Sequence, residues 1–342
     1  MSGTLNPLLS VKGLKTSFHT HDGVVNAVNG VDFDVFPGET LGLVGESGCG
    51  KSVTALSILR LLNPANTTIQ GQIKFEEKNL LDMNLEKIRM LRGGTISMIF
   101  QEPMTSLNPI LTVGEQIAES LRLHEHLDRK QAWEKAIQML EMVQIPSPEH
   151  RVGQYPHKLS GGMRQRVMIA MALACSPRLV FADEPTTALD VTIQAQILNL
   201  MNHLKKGSNT SMVLITHDLG VVAQMASRVV VMYAGKVVEE APVVDLFHNA
   251  RHPYTRGLLK SVPVLGADKA SRLNEIPGIV PSLLHIPRGC SFHPRCAKTM
   301  EICRKEFPPM VRFSANRRVA CWLSGEGIQN NVSFATTAPK GS

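Results

Sequence analysis

The sequence predicts an α/β fold organised around a phosphate-binding loop, with a helical insert, an N-terminal antiparallel β-subdomain and a small cysteine-containing C-terminal domain. Three observations predict it. Leu41 to Val44, apolar but for Gly42, read as a buried strand that runs into Gly45-Glu46-Ser47-Gly48-Cys49-Gly50-Lys51-Ser52, and Val53 to Leu59 can start a helix. Two further apolar runs, Leu179 to Ala182 and Met212 to Ile215, lead into Asp183-Glu184 and His217, at the carboxyl edge where open α/β sheets place their ligands. Between residues 112 and 145 the apolar period becomes helical, through Val113, Ile117, Leu121, Trp133, Ile137, Leu140 and Val143, with no strand signal between them.

Taken in order, residues 8–17 and 24–36 alternate apolar and polar and read as strands joined by His21-Asp22-Gly23. Phe18, just before that turn, either stacks on an adenine ring or fills the core. Pro37-Gly38-Glu39 turns the chain into the strand that feeds the loop. The loop glycines let successive N–H groups turn inward around phosphates, and the following helix N-terminus adds partial positive charge. Gly45, Glu46, Ser47, Gly48, Cys49, Gly50, Lys51 and Ser52 are therefore the candidate nucleotide-binding residues. Lys51 can reach the β- and γ-phosphates, and Ser52 can offer its hydroxyl to Mg²⁺.

Residues 70–76 and 95–99 read as strands, with a helix-like Leu85 to Leu91 between them. Gln101 closes the second strand, stopped by Glu102-Pro103, and its amide suits a Mg²⁺ ligand or a water-positioning group. After the turn-rich Pro146-Ser147-Pro148 comes Leu159-Ser160-Gly161-Gly162-Met163, where Ser160 is placed as an N-cap and the helix opens on bare N–H groups. Asp183 suits the oxygen shell of Mg²⁺, leaving Glu184 to orient or deprotonate a water. Asp190 is a plausible cap for the next helix. Residues 228–233 and 236–240 read as a hairpin through Ala234-Gly235.

Composition bounds the rest. The chain has 342 residues, is 43% hydrophobic, and has no uninterrupted run of 18 apolar residues, so a globular protein of two or more units is expected, without a span or secretory signal. The expected compartment is the cytosol. Its net charge of +7 is uneven: residues 251–342 hold 14 Lys and Arg against 5 Asp and Glu. A basic module of that kind suits nucleic acid, anionic lipid headgroups or an anionic cofactor, or is a solvated surface. Cys290, Cys296, Cys303 and Cys321 crowd into this module, a grouping that in a reducing cytosol favours metal over disulfides. Their spacing fits neither the paired CxxC of zinc ribbons nor a simple ferredoxin run.

These motifs, in this order, resemble the ATP-binding subunits of ABC transporters, which implies a P-loop NTPase fold and an ABC nucleotide-binding domain. The resemblance places the phosphate loop at 45–52, the glutamine loop at Gln101, the signature at Leu159 to Met163, the second acidic motif at 179–184 and the switch histidine at His217. Pro103-Met104-Thr105-Ser106-Leu107-Asn108-Pro109, Asp190 to Gln196 and Arg251-His252-Pro253-Tyr254-Thr255 look like the dipeptide/oligopeptide importer branch, as does the cysteine-bearing tail. It covers roughly residues 8–325. The implied layout is an ATPase domain over 1–250 with a helical subdomain near 106–175, a C-terminal domain over 251–328, and a flexible tail over 329–342. Two positions depart from common patterns. Met163 stands where Gln is usual. Cys49 stands where Ser is frequent, and flanking N–H groups are expected to lower its thiol pKa and make the ATPase sensitive to thiol reagents.

The resemblance implies head-to-tail pairing, so that Ser160, Gly161 and Gly162 serve the partner's ATP while Glu184 drives hydrolysis and His217 steadies the γ-phosphate. Gln101 and the helical insert would pass the motion to the membrane subunits. It further implies a [4Fe–4S] cluster on the four clustered cysteines, with Zn²⁺ as the alternative. Arg288, Arg295, Arg304, Arg317 and Arg318 would then offset the cluster's charge. The implied partners are a second ATPase subunit, usually a paralogue, two transmembrane permeases and an extracytoplasmic peptide-binding protein, with the chain peripheral on the cytoplasmic face of the inner membrane and no nucleic acid bound. A soluble ABC ATPase of translation or DNA repair, an exporter, and an importer of another solute such as nickel or a sugar oligomer are the competing readings.

Overall fold

The computed structural model describes residues 6–187, 190–261 and 275–324. The tail expected to be flexible, 329–342, lies outside the described residues.

Strands β1 (Leu9–Thr20) and β2 (Gly23–Val35) form the long antiparallel hairpin that alternation predicts, and β3 (Thr40–Val44) feeds α1 (Lys51–Ile58). Next come β4 (Thr67–Phe75), the short β5 (Lys78–Asn79), α2 (Leu85–Leu91) and β6 (Ile96–Ile99). Five helices then run without a strand: α3 (Pro103–Ser106), α4 (Val113–Glu125), α5 (Arg129–Met142), α6 (Pro148–Arg151) and α7 (Gly161–Leu173). The chain returns to the sheet through β7 (Leu179–Asp183), α8 (Val191–Ser208), β8 (Ser211–Thr216), α9 (Leu219–Met225), β9 (Arg228–Tyr233) and β10 (Lys236–Pro242). It finishes with α10 (Val243–Asn249), α11 (Pro253–Lys260), α12 (Glu301–Lys305), β11 (Val311–Ser314) and β12 (Arg317–Val319).

Two sheets result. The first is antiparallel, in the order β2-β1-β4-β5; the second has the order β11-β12-β10-β9-β3-β8-β7-β6. In the second, β9, β3, β8, β7 and β6 are mutually parallel, and β10, β12 and β11 continue it antiparallel. The C-terminal segment thus extends the central sheet, with Glu239 opposite Val319 and Glu240 opposite Arg318.

The parallel strands are apolar on both faces because both faces are covered. Leu179, Phe181, Val213, Ile215, Val230 and Met232 join Leu9, Leu14, Val31 and Phe33 in the core between the sheets. Their alternates Val180, Ala182, Met212 and Leu214 pack with Ile117, Leu121, Val167 and Ile169 of the helical insert. Farther along the sheet, Val229, Val231 and Tyr233 face Leu246, Tyr254 and Phe292 in a third core under the C-terminal segment. Period-two alternation therefore assigns each strand residue to one of two packed layers. All the parallel strands point the same way, so the segments after β3, β6, β7 and β8 gather at one edge. Among the described residues no helix is long and apolar enough to cross a membrane.

Candidate active site

After β3 the chain wraps back on itself, with Gly45, Gly48 and Gly50 at φ 152°, 76° and 101°. At Gly50 the conformation and the space both demand glycine. A Cβ there would sit 2.3 Å from the Ala27 carbonyl, beside an irregularity in the β1–β2 pairing. The loop is tied down by Gly235 N–H donating to the Cys49 carbonyl (3.0 Å) and Asn29 N–H to the Gly235 carbonyl (2.8 Å). Lys51 is buried and its ammonium donates to the carbonyls of Gly45 (2.7 Å) and Glu46 (3.0 Å). Helix α1 has Gly50 as N-cap and no side-chain cap, so its first N–H groups remain available to an anion.

The lowered thiol pKa expected at Cys49 is not found. The thiol is fully buried, and burial pushes its pKa up more strongly than the Lys51 charge and backbone N–H groups pull it down. Burial thus works against the thiol-reagent sensitivity expected of it.

Asp183 and Glu184 leave the end of β7 in different directions. Ser52 Oγ donates to Asp183 Oδ1 (3.0 Å), which sets two hard oxygen donors beside Lys51. Burial, followed by the nearby Glu184 charge, raises the Asp183 carboxyl above its usual range despite the Ser52 bond and Lys51. A carboxylate so short of compensating charge fits a cation. Glu184 takes the left-handed conformation, φ 44°, with its N–H on the Ile215 carbonyl (2.8 Å). Its carboxylate collects three partners: His217 Nδ1 at Oε1 (3.0 Å), Thr187 Oγ1 at Oε2 (2.8 Å) and Gln101 Nε2 at Oε2 (3.1 Å). Burial alone would raise its pKa, but the bonds from His217 and Thr187, with the charges of His217 and Lys51, bring it below the ordinary value. The expected trio of Gln101, Glu184 and His217 is thus one contact group, and Thr187 is a fourth member. Its only sequence signal was a hydroxyl three residues after a carboxylate.

Ser160 caps α7 as its position predicts, its hydroxyl accepting from Met163 N–H (3.3 Å). Ser160 and Gly161 are exposed, and no hydrogen bond links Ser160, Gly161 or Gly162 to residues 45–52 among the described residues. The helix is tied to the acidic motif instead: Gln165, buried, donates to the Pro185 carbonyl (2.6 Å). Phe18 is half-buried in β1, two residues beyond Thr16, whose hydroxyl meets Ser57 of α1 (2.8 Å). Regular pairing of β1 with β4 here puts both on the face toward α1.

Residues 251–255 fold as a tight linkage. Glu239 accepts from the N–H groups of Arg251 (2.8 Å) and His252 (2.9 Å). Burial pushes the His252 imidazole down to about 3, so it is neutral and its Nδ1 accepts from Tyr254 N–H (3.1 Å) at the N-cap of α11. Tyr254 Oη in turn accepts from Glu46 N–H in the phosphate loop (2.8 Å). Arg295 donates to both Glu46 oxygens, at 2.7 and 3.0 Å.

Cys290, Cys296, Cys303 and Cys321 are free and line a single pocket with His252, Phe292 and Trp322. Burial first, then the neighbouring cysteines, raises the thiols of Cys290, Cys296 and Cys321, the last to about 11. Among the described residues no three His, Cys, Asp or Glu side chains converge as they would on one metal ion. The arginines expected to balance a cluster are mostly engaged elsewhere: Arg295 on Glu46, Arg317 on the Asn249 carbonyl and Arg318 on Glu240.

A family model described as ABC transporter matches residues 28–187, and one described as oligopeptide/dipeptide transporter, C-terminal region, matches 238–303. The chain is 55% identical to the probable peptide ABC transporter ATP-binding protein y4tR of Sinorhizobium fredii, over 94% of this chain and 96% of that one. The chain belongs to the ATP-binding subunits of oligopeptide/dipeptide ABC transporters. It is 50% identical to the dipeptide transport ATP-binding protein DppD of Bacillus subtilis over 96% and 98% of the two chains. Among solved structures, the ABC cassette MJ0796, a dimer in a post-hydrolysis state bound to ADP and Pi, matches with TM-score 0.62 and 26% identity, over 69% of this chain and 98% of that one. The structure of cbiO1 from Clostridium perfringens matches with TM-score 0.59 and 26% identity over 71% and 92%. This ABC ATPase therefore carries its nucleotide chemistry on the P-loop NTPase scaffold that its sequence predicts.

Proposed function

We propose that this ABC ATPase binds ATP at residues 45–52 and hydrolyses it to power import of di- and oligopeptides across the cytoplasmic membrane. The observation that carries the chemistry is Glu184. It is a carboxylate held ionised by His217 and Thr187 beside Gln101, at the sheet edge that the phosphate loop shares. In that position it takes a proton from the attacking water, whose oxygen bonds to the γ-phosphorus as ADP leaves. His217, on the exposed side of Glu184, steadies the γ-phosphate. Phe18 stacks on adenine from the end of β1. Ser52, Asp183 and the side-chain oxygen of Gln101 would hold Mg²⁺, which would supply positive charge against the phosphates.

The exposed Ser160-Gly161-Gly162 end of α7 completes the ATP site of a second, paralogous cassette arranged head to tail, because a γ-phosphate needs donors on both faces and one chain covers one. Two permeases and an extracytoplasmic peptide-binding protein complete the assembly, the ATPase lying peripherally on its cytoplasmic face and contacting no nucleic acid. Similarity to peptide-transport subunits along nearly the whole chain supports this reading.

Cys290, Cys296, Cys303 and Cys321 would hold a [4Fe–4S] cluster in this reading. What supports this reading is four free thiols lining one pocket, together with the branch resemblance; Zn²⁺ is the alternative occupant. Such a group would act as a structural clip on the C-terminal segment. Anaerobic purification with iron, sulfide and zinc analysis tests it: about four irons and four sulfides per chain are expected, lost in Cys296→Ser. One zinc and no iron overturns the cluster assignment.

Uptake of labelled di- and oligopeptides in a strain lacking the chain tests the transport reading. Wild type restores uptake and Glu184→Gln does not. Restored uptake of another solute with no effect on peptides overturns the substrate class.

A further inference from the structure

We propose that Tyr254 and Arg295, from outside the nucleotide-binding loop and its sheet, are positioning residues for ATP that act through Glu46. Glu46 is held at three points. Its N–H donates to Tyr254 Oη (2.8 Å), its carboxylate takes both terminal nitrogens of Arg295 (2.7 and 3.0 Å), and its carbonyl accepts from the Lys51 ammonium (3.0 Å). The first two partners lie 208 and 249 residues away in sequence, while the third is the loop's own cation. The Tyr254 bond orients the Gly45–Glu46 peptide, whose Gly45 carbonyl also accepts from Lys51 (2.7 Å), and the Arg295 pair holds the Glu46 side chain; together they set the two carbonyls from which Lys51 is aimed, and with them the ammonium that meets the phosphates.

The holding groups are themselves rigid. The Arg295 side chain is only 4% exposed, it donates further to the carbonyls of Pro277 (3.0 Å) and Ile276 (3.2 Å), and it approaches Tyr233 and Phe292. Tyr254 is fully buried edge-on to Tyr233. A bidentate arginine–carboxylate pair in this setting fixes direction as well as distance. Because Arg295 adjoins Cys296, the cysteine pocket sits one residue from a contact to the phosphate loop.

Tyr254→Phe keeps the ring and deletes the acceptor; Arg295→Gln deletes the charge, and Arg295→Lys restores it without the fork. ATP affinity is read by calorimetric titration of the full chain, well below its unfolding midpoint, together with KM and kcat of hydrolysis. Kd and KM are expected to rise by about tenfold in Tyr254→Phe and Arg295→Gln, with kcat within about twofold. Arg295→Lys is expected to recover part of the loss. Glu46→Gln with Arg295→Gln together is expected to be no worse than Arg295→Gln alone. A lower unfolding temperature with unchanged Kd shows a merely structural role and overturns the proposal, as does a fall in kcat at unchanged KM. The proposal rests on residues 45–52 holding ATP, so Lys51→Ala is run beside these variants. If it binds ATP normally, the loop assignment itself falls first.

Discussion

Asp183 and Glu184 are adjacent in sequence, yet their surroundings push their carboxyls in opposite directions. Asp183 is raised by burial, and Glu184 is lowered because hydrogen bonds from His217 and Thr187 outweigh its burial. Such a split separates a carboxylate that seeks a cation from one that serves as a base. As the proposed base, Glu184 works ionised, so hydrolysis should persist into mildly acidic solution and fall only as pH drops through its lowered pKa. Removing His217 deletes a group that favours the ionised form. In His217→Ala the acid limb of the normalised kcat/KM profile should therefore move to higher pH, and Thr187→Ala should move it less in the same direction. An acid limb that stays put or moves to lower pH refutes the coupling. Glu184→Gln removes the proposed base, and kcat should drop by about 10²–10⁴-fold with ATP still bound. The pair was legible in the sequence because both carboxylates end an apolar run. Their unequal environments were not, since burial and the Thr187 partner are properties of the folded edge.

At the scale of elements, local pattern carried most of the fold. Alternation marked β1 and β2, apolar runs marked β3, β7 and β8, the Ala234-Gly235 turn marked the β9–β10 hairpin, and helical spacing marked the insert, because each signal records which faces of the element are packed. Pairing between distant elements leaves no such imprint. Arg228 in β9 forms a fork with Glu39 ahead of β3 (2.9 Å at each oxygen) and reaches Glu240 in β10, which also takes Arg318 from β12 (2.6 Å). Four charges from four segments meet there, nearly without solvent, and in sequence they are ordinary strand-end polar residues. Arg228→Ala would take the guanidinium from Glu39, which keeps the Phe36 N–H (2.9 Å), and leave Glu240 with Arg318. Denaturant unfolding should show a loss of about 3–5 kcal/mol, the cost of breaking one side of a buried ion pair. A loss under about 1 kcal/mol would mean that water reaches the cluster and screens it.

Across the whole molecule the C-terminal segment is built into the ATPase at three places. β12 covers the outer edge of β10, with Ala320 N–H on the Val238 carbonyl (2.8 Å). Phe292 closes the aromatic core against Tyr233 and Tyr254, and Arg295 holds Glu46. The four-cysteine spacing announced a module, and the basic composition announced its charge, but neither could say that the charge is spent on carboxylates of the ATPase. A chain ending at residue 274 should therefore fail in a particular way. The backbone groups of Glu239 and Glu240 become an open strand edge, Tyr233 and Tyr254 lose an apolar cover that contributes about 1.5–3 kcal/mol, and the phosphate loop loses its arginine. Light scattering should show self-association, and ATP binding should weaken at least as much as in Arg295→Gln. Cys296→Ser in the full chain leaves the β12 residues in place. It should stay dispersed where the shortened chain does not, because the edge is closed by backbone pairing and not by the thiols. If the shortened chain remains monomeric with undiminished ATP affinity, the ATPase core is self-sufficient and the segment is an appendage.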